Sequence, residues 1–226
     1  MAADLTDSLG TILNYIAAAG AIGTAAYGLV DSSKAARGGI SNLGFGHIRD
    51  AVQSIIGKAT AGGTVFGPTE IVETLRANWL NGVAKADQKA KTKALIRLML
   101  TPDTAQEMAT ATGVNAAHLQ IAAQRVRDDE DLMPQDLKVL GAFDVVVSAT
   151  LDLGFERGDQ VYRNAAKFAA LVCAVVLAAG GSYFVFNEVR PMAIFIGIVA
   201  TPLAPIAKDL STSLSAAVKA VGTFKR

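Results

Sequence analysis

The chain has 226 residues, 51% of them hydrophobic and only 18% charged, against roughly 45–50% and 25% in an ordinary globular chain. That length allows one domain or two, and 21 Lys and Arg against 20 Asp and Glu leave no global field to draw nucleic acid, which is not expected as a partner. One cysteine, Cys173, and two histidines exclude a disulfide framework within the chain and leave little for a metal site.

The apolar excess is clustered. The first run without a charge is Ser8 to Val30, 23 residues; the second is Phe168 to Asn187, 20 residues; the third is Pro191 to Ala207, 17 residues. About 20 apolar residues cross a hydrocarbon core of roughly 30 Å. The sequence therefore predicts an all-α integral membrane protein with three transmembrane helices, at 8–30, 168–187 and 191–207. A helical cytoplasmic domain, 31–167, lies between the first and second. The third run is short, and Pro202 and Pro205 kink its last turns. The first is rich in Ala, Gly and Thr, so a buried helix of a soluble domain competes with a span there. Its leader, residues 1–7, carries two acids and no Lys or Arg, the reverse of a signal peptide's basic start, so the span is read as uncleaved.

Flanking basic residues set the orientation. Lys34, Arg37 and Arg49 follow the first run, Arg157, Arg163 and Lys167 precede the second, and Lys208, Lys219, Lys225 and Arg226 follow the third. The opposite ends offer only Arg190, in the turn 188–190. All three flanks predict the N-terminus outside, 31–167 inside and the C-terminus inside.

Within the insert, acidic and basic residues are equal in number. Ser41-Asn42 opens a helix that runs to Ile56 and stops at Gly57, and a Gly/Thr-rich connector follows at 61–67. Pro68-Thr69-Glu70 starts an amphipathic helix with Ile71, Leu75, Trp79 and Leu80 on one face. Lys85 to Leu100 is the next. Thr101-Pro102-Asp103 restarts the chain to about Thr112, Gly113 ends that piece, and Ala116 to Val126 follows. Asp128, Asp129, Glu130 and Asp131 form an acidic loop, and Asp136 begins an apolar stretch that leads through Leu153 towards the second run. No strand alternation persists.

Motifs for catalysis are lacking: no phosphate loop, no Gly-x-Ser-x-Gly elbow, no His-Glu-x-x-His. His47 and His118 have no ligand-spaced neighbours, and no catalytic, cofactor or metal residue is expected. The pair of short helices around Gly113 resembles a helix-turn-helix only in outline, because Val114 to Gln124 contains no Lys or Arg for phosphates.

Two patterns stand out. Lys85, Lys89, Lys93 and Arg97 repeat every four residues on one helix face. That stripe suits anionic headgroups, or pairing with the 128–131 acids of the same or a neighbouring chain, or plain solvation. Small residues also repeat every four positions in each apolar run: Gly20, Thr24 and Gly28; Ala166, Ala170, Ala174, Ala178 and Ser182; and Ala193, Gly197, Thr201 and Pro205. Membrane helices pack through such rows. The tail 208–226 is net positive, with Leu210, Leu214, Val218 and Val221 along one side, as in a helix lying at the inner interface or packed on the insert. No acid or base lies inside a run, which argues against a coupled transporter.

The stretches Ala36-Arg37-Gly38-Gly39-Ile40 and Phe155-Glu156-Arg157 to Tyr162-Arg163 resemble two stretches in a group of uncharacterised bacterial inner-membrane proteins. Those proteins have an N-terminal span, a cytosolic helical insert and a C-terminal membrane hairpin. This chain departs from them in its short insert and in Gly158, where they carry a bulkier residue. The resemblance implies the same topology and a bacterial inner membrane, and no activity. The expected function is a non-enzymatic, self-associating membrane scaffold or anchor, with the lipid bilayer and further copies of itself as partners. An oligomeric pore, and an accessory subunit bound to another membrane or cytosolic protein, are the alternatives.

Overall fold

A computed structural model describes residues 2–36, 38–57 and 67–205. The connector at 58–66 and the tail 206–226, with its expected amphipathic face, lie outside the described residues, as does Arg37. Every regular element among the described residues is helical. They are α1 (Ala2–Ser32), a 3-10 turn (Ser33–Ala35), α2 (Ser41–Ile56), α3 (Pro68–Leu80), α4 (Lys85–Met99), α5 (Ala105–Thr112), α6 (Ala116–Arg127) and α7 (Pro134–Phe186). A last apolar helix, α8 (Pro191–Pro205), follows. The described residues divide into two compact units, 2–40 with 163–205, and Ser41–Tyr162.

The Ser41–Tyr162 unit has an aliphatic and aromatic core. Along α7, Val139, Phe143, Val147, Leu151 and Phe155 are buried in one row at four-residue spacing, the periodicity that places side chains on one helix face. Against that row lie Ile48, Val52 and Ile56 of α2, Ile71 and Leu75 of α3, Ile96 and Met99 of α4, Met108 of α5 and Leu119 of α6. Local chemistry sets the helix ends. Gly57 (φ +55°) and Gly113 (φ +71°) adopt the left-handed backbone that stops α2 and α5, a conformation open to glycine. Pro68 stands at the first turn of α3, and the Glu70 carboxylate accepts the Gly67 N–H at 2.9 Å. The Asn115 side chain accepts the His118 N–H at 3.0 Å to cap α6. α2 and α7 cross backbone to backbone. A Cβ on Gly44 would strike the Gly158 carbonyl, and one on Gly158 would come within 2.8 Å of the Gly44 carbonyl. Trp79 closes that crossing, with Nε1 donating to the Ser41 carbonyl at 3.0 Å and its ring edge-on to Tyr162.

The other unit is packed by small residues. Ala19, Ala26 and Val30 of α1, Ala170 and Ala174 of α7 and Ala200 of α8 form its buried cluster. A Cβ on Gly23 would collide with the Ala200 carbonyl, and one on Gly197 would sit 2.6 Å from the Val175 Cα. Among the described residues one helix, α7, is long and apolar enough to cross a membrane, and α8 is a shorter apolar helix.

Candidate functional site

The cation stripe is engaged within its own unit. On α7, Asp144, Ser148, Asp152 and Glu156 repeat at the same four-residue spacing, one position beyond the buried row. Lys85 Nζ lies 2.7 Å from Glu156 and Lys89 Nζ 2.5 Å from Asp152. Lys93 Nζ donates to Ser148 Oγ at 3.0 Å and lies 3.7 Å from Asp144. Arg97 Nε donates to Asp144 at 2.8 Å, and its Nη2 pairs with the same carboxylate. A row of four cations on α4 and a row of three acids and Ser148 on α7 thus run antiparallel. The 128–131 acids take no part in that ladder. Asp128 accepts from Gln124 and lies 3.6 Å from Arg127, Glu130 lies 4.0 Å from Arg125, and Asp129 turns the chain at φ +56°. The acids follow the C-terminus of α6, where the helix dipole disfavours negative charge, and the two arginines of its last turn offset this.

Beside this loop sits a pair that the sequence reading passed over. Asp136 is 3% exposed; its Oδ2 accepts the Met133 N–H at 2.8 Å and pairs with Arg125 Nη1. The backbone N–H first, then the guanidinium, holds its carboxyl below the usual aspartate range against the opposing effect of burial. An acid at the third position of a helix that begins with Pro134 is the signal for it.

The small-residue rows divide. Ala170, Ala174, Ala178 and Ser182 are buried, as are Gly197 and Thr201, with Ala193 half-buried. Ser182 also fastens the turn after α7, donating to the Glu188 carbonyl at 3.0 Å and accepting the Arg190 N–H at 3.1 Å. In α1 the buried row is Ala19, Gly23, Ala26 and Val30. Gly20 is buried beside it, whereas Thr24 and Gly28 are exposed, with open space around the position of a Gly28 Cβ. Within the unit, α1 turns its 19/23/26/30 edge to Ala200, and of the 20/24/28 row only Gly20 is buried. Cys173 is half-buried. Among the described residues no three His, Cys, Asp or Glu side chains converge on a metal position. Compared with protein families, with curated proteins and with solved structures, the chain finds no match.

Proposed function

We propose that the chain is a non-enzymatic, self-associating membrane scaffold, with three spans, Ser41–Tyr162 on the cytoplasmic side and the bilayer itself as a partner. The observation that carries this reading is the inside-out packing of the unit that holds α1 and α8. Its interior is mostly alanine and glycine, with Val30, Ser182 and Thr201, while Phe168, Val176, Phe184, Phe195 and Ile198 stand exposed, Phe184 by 92%. Water penalises such a surface, and hydrocarbon does not. The rows on α7 and α8 are spent on contacts within the unit. The outer face of α1, with Ala17, Ala21, Thr24, Ala25 and Gly28 all exposed, is left for a helix of a second copy.

Particle mass in lipid nanodiscs tests this. The wild-type protein should give a discrete multimer. Gly28→Leu, at a position where a Cβ meets no described atom within 4 Å, should reduce the copy number without loss of helicity. A wild-type monomer, or an unchanged multimer in Gly28→Leu, contradicts the self-association. A multimer with a central lumen that releases vesicle contents makes the protein a pore instead.

A further inference from the structure

An open groove of 740 Å³ lies beside the turn between α7 and α8, within the roughly 300–1,000 Å³ typical of small-molecule sites. Ile22, Leu177, Val185, Phe186, Met192 and Ile196 line it, and Gly181 and Ala178 keep its floor low. The walls are apolar, but the mouth is not. Arg190 stacks on the Phe186 ring at 3.7 Å and meets Glu188 through Nε at 2.9 Å. Both side chains are at least half exposed, so the pair is weakly held and can exchange partners. Tyr15, also at the groove, and Tyr183 are exposed at this end, the position that aromatic residues favour at headgroup level.

We infer that this groove seats one acyl chain of a zwitterionic, primary-amine phospholipid, with the phosphate on Arg190 and the ammonium on Glu188. The charge arrangement selects the headgroup. One cation and one anion side by side complement a phosphate and an ammonium two carbons apart; a primary ammonium donates hydrogen bonds to the Glu188 carboxylate where a quaternary one has no N–H to give, and an anionic headgroup without an amine leaves Glu188 facing like charge. The inference rests on the membrane reading and adds a ligand to it.

The protein, washed in mild detergent, is equilibrated with equal amounts of phosphatidylethanolamine, phosphatidylglycerol and phosphatidylcholine of identical chains. Retained lipid is then counted by native mass spectrometry. One phosphatidylethanolamine per chain should survive preferentially. Gly181→Leu fills the groove where a Cβ meets nothing within 4 Å and should lower retention of all three lipids about tenfold. Arg190→Gln and Glu188→Gln leave the apolar walls in place and should each abolish the headgroup preference, which keeps the test decisive should Gly181→Leu fail to fold. Equal retention of the three headgroups by the wild type, or undiminished retention in a folded Gly181→Leu, overturns the inference. Flotation of the same preparations with vesicles separates the two layers of the argument. Protein that floats but shows no preference loses only the lipid site, and protein that stays at the bottom of the gradient loses the membrane reading as well.

Discussion

The two halves of α7 are packed by opposite means. Residues 134–162 bury Phe143, Leu151 and Phe155 and carry their charges on a flanking row, whereas residues 163–186 bury Ala170 and Ala174 and turn Phe168, Val176 and Phe184 outward. The first arrangement suits water, which rewards burial of large apolar surface. The second suits a solvent as apolar as the side chains themselves, where contact is gained by bringing backbones close rather than by hiding bulk. The comparison also separates two kinds of glycine. Gly44 and Gly158 permit a helix crossing beside an aliphatic core, while Gly23 and Gly197 permit contacts in which almost nothing larger than alanine is buried.

The sharpest way to break the contrast is to exchange large side chains across it. Phe155→Ala should cost about 3–5 kcal/mol by loss of burial and creation of a cavity, read as a large fall in the thermal midpoint of the Ser41–Tyr162 unit. Phe184→Ala, at a residue of the same type that is 92% exposed, should leave the melting of the detergent-bound protein within about 0.5 kcal/mol of wild type. Equal costs at the two positions would mean that the halves are not packed differently. Overfilling comes next. Gly197→Leu forces a side chain against the Val175 backbone and should cost roughly 1–3 kcal/mol or more, measured by denaturant titration in mixed micelles dilute enough to keep the wild type monomeric, where Gly28→Leu should be silent.

Asp136 sharpens the water-facing side of the comparison. Its carboxyl is held below the ordinary value of 3.8, so the folded unit binds that proton less readily than the unfolded chain. Its contribution to stability is complete above that value and is lost as pH falls through the lowered one. Asp136→Asn should therefore destabilise the unit near neutral pH and flatten its stability profile below about pH 4. A mutant profile parallel to wild type through that range would remove Asp136 from the account. The smallest effects belong to the ladder. Lys89→Ala should cost roughly 0.2–1 kcal/mol, as for other exposed pairs, and the difference should vanish in about 1 M salt, where the screening length is about 3 Å. A cost that persists at high salt would mean that the lysine stem, rather than its charge, does the packing.

Punctuation made the middle of the chain legible. Gly57, Pro68 and Gly113 each carry a conformational preference strong enough to mark a helix end from sequence, and the end of α2, the start of α3 and the end of α5 fall at or beside them. The continuity of α7 was harder to read. Glu156, Arg157, Asp159, Arg163 and Lys167 interrupt the apolar pattern, yet none is a helix breaker, and no proline falls between Pro134 and Phe186. The ladder was half visible. The cations of α4 drew notice because they stand among polar residues, while Asp144, Asp152 and Glu156 have the same spacing but lie within an apolar stretch. In α1 the row buried within the unit is a matter of register. A segment so rich in alanine and glycine offers several equivalent small rows, and only the neighbouring helix decides between 20/24/28 and 19/23/26/30. The close approach of α2 and α7 has a sequence signal in Gly154-x-x-x-Gly158, but it lies outside every apolar run.

The inside-out packing is tested most directly by letting the bilayer report what it touches. The protein is reconstituted with a phospholipid that carries a photoreactive diazirine in its acyl chain, illuminated and digested, and the modified residues are mapped by mass spectrometry. The account predicts labels on outward residues of 163–205 such as Phe168, Val176, Phe184 and Phe195, none on Ala170 or Ala174, and none on the 41–162 unit. Labels on Ala170 and Ala174, or labelling of 41–162 to the same extent as 163–205, would contradict it.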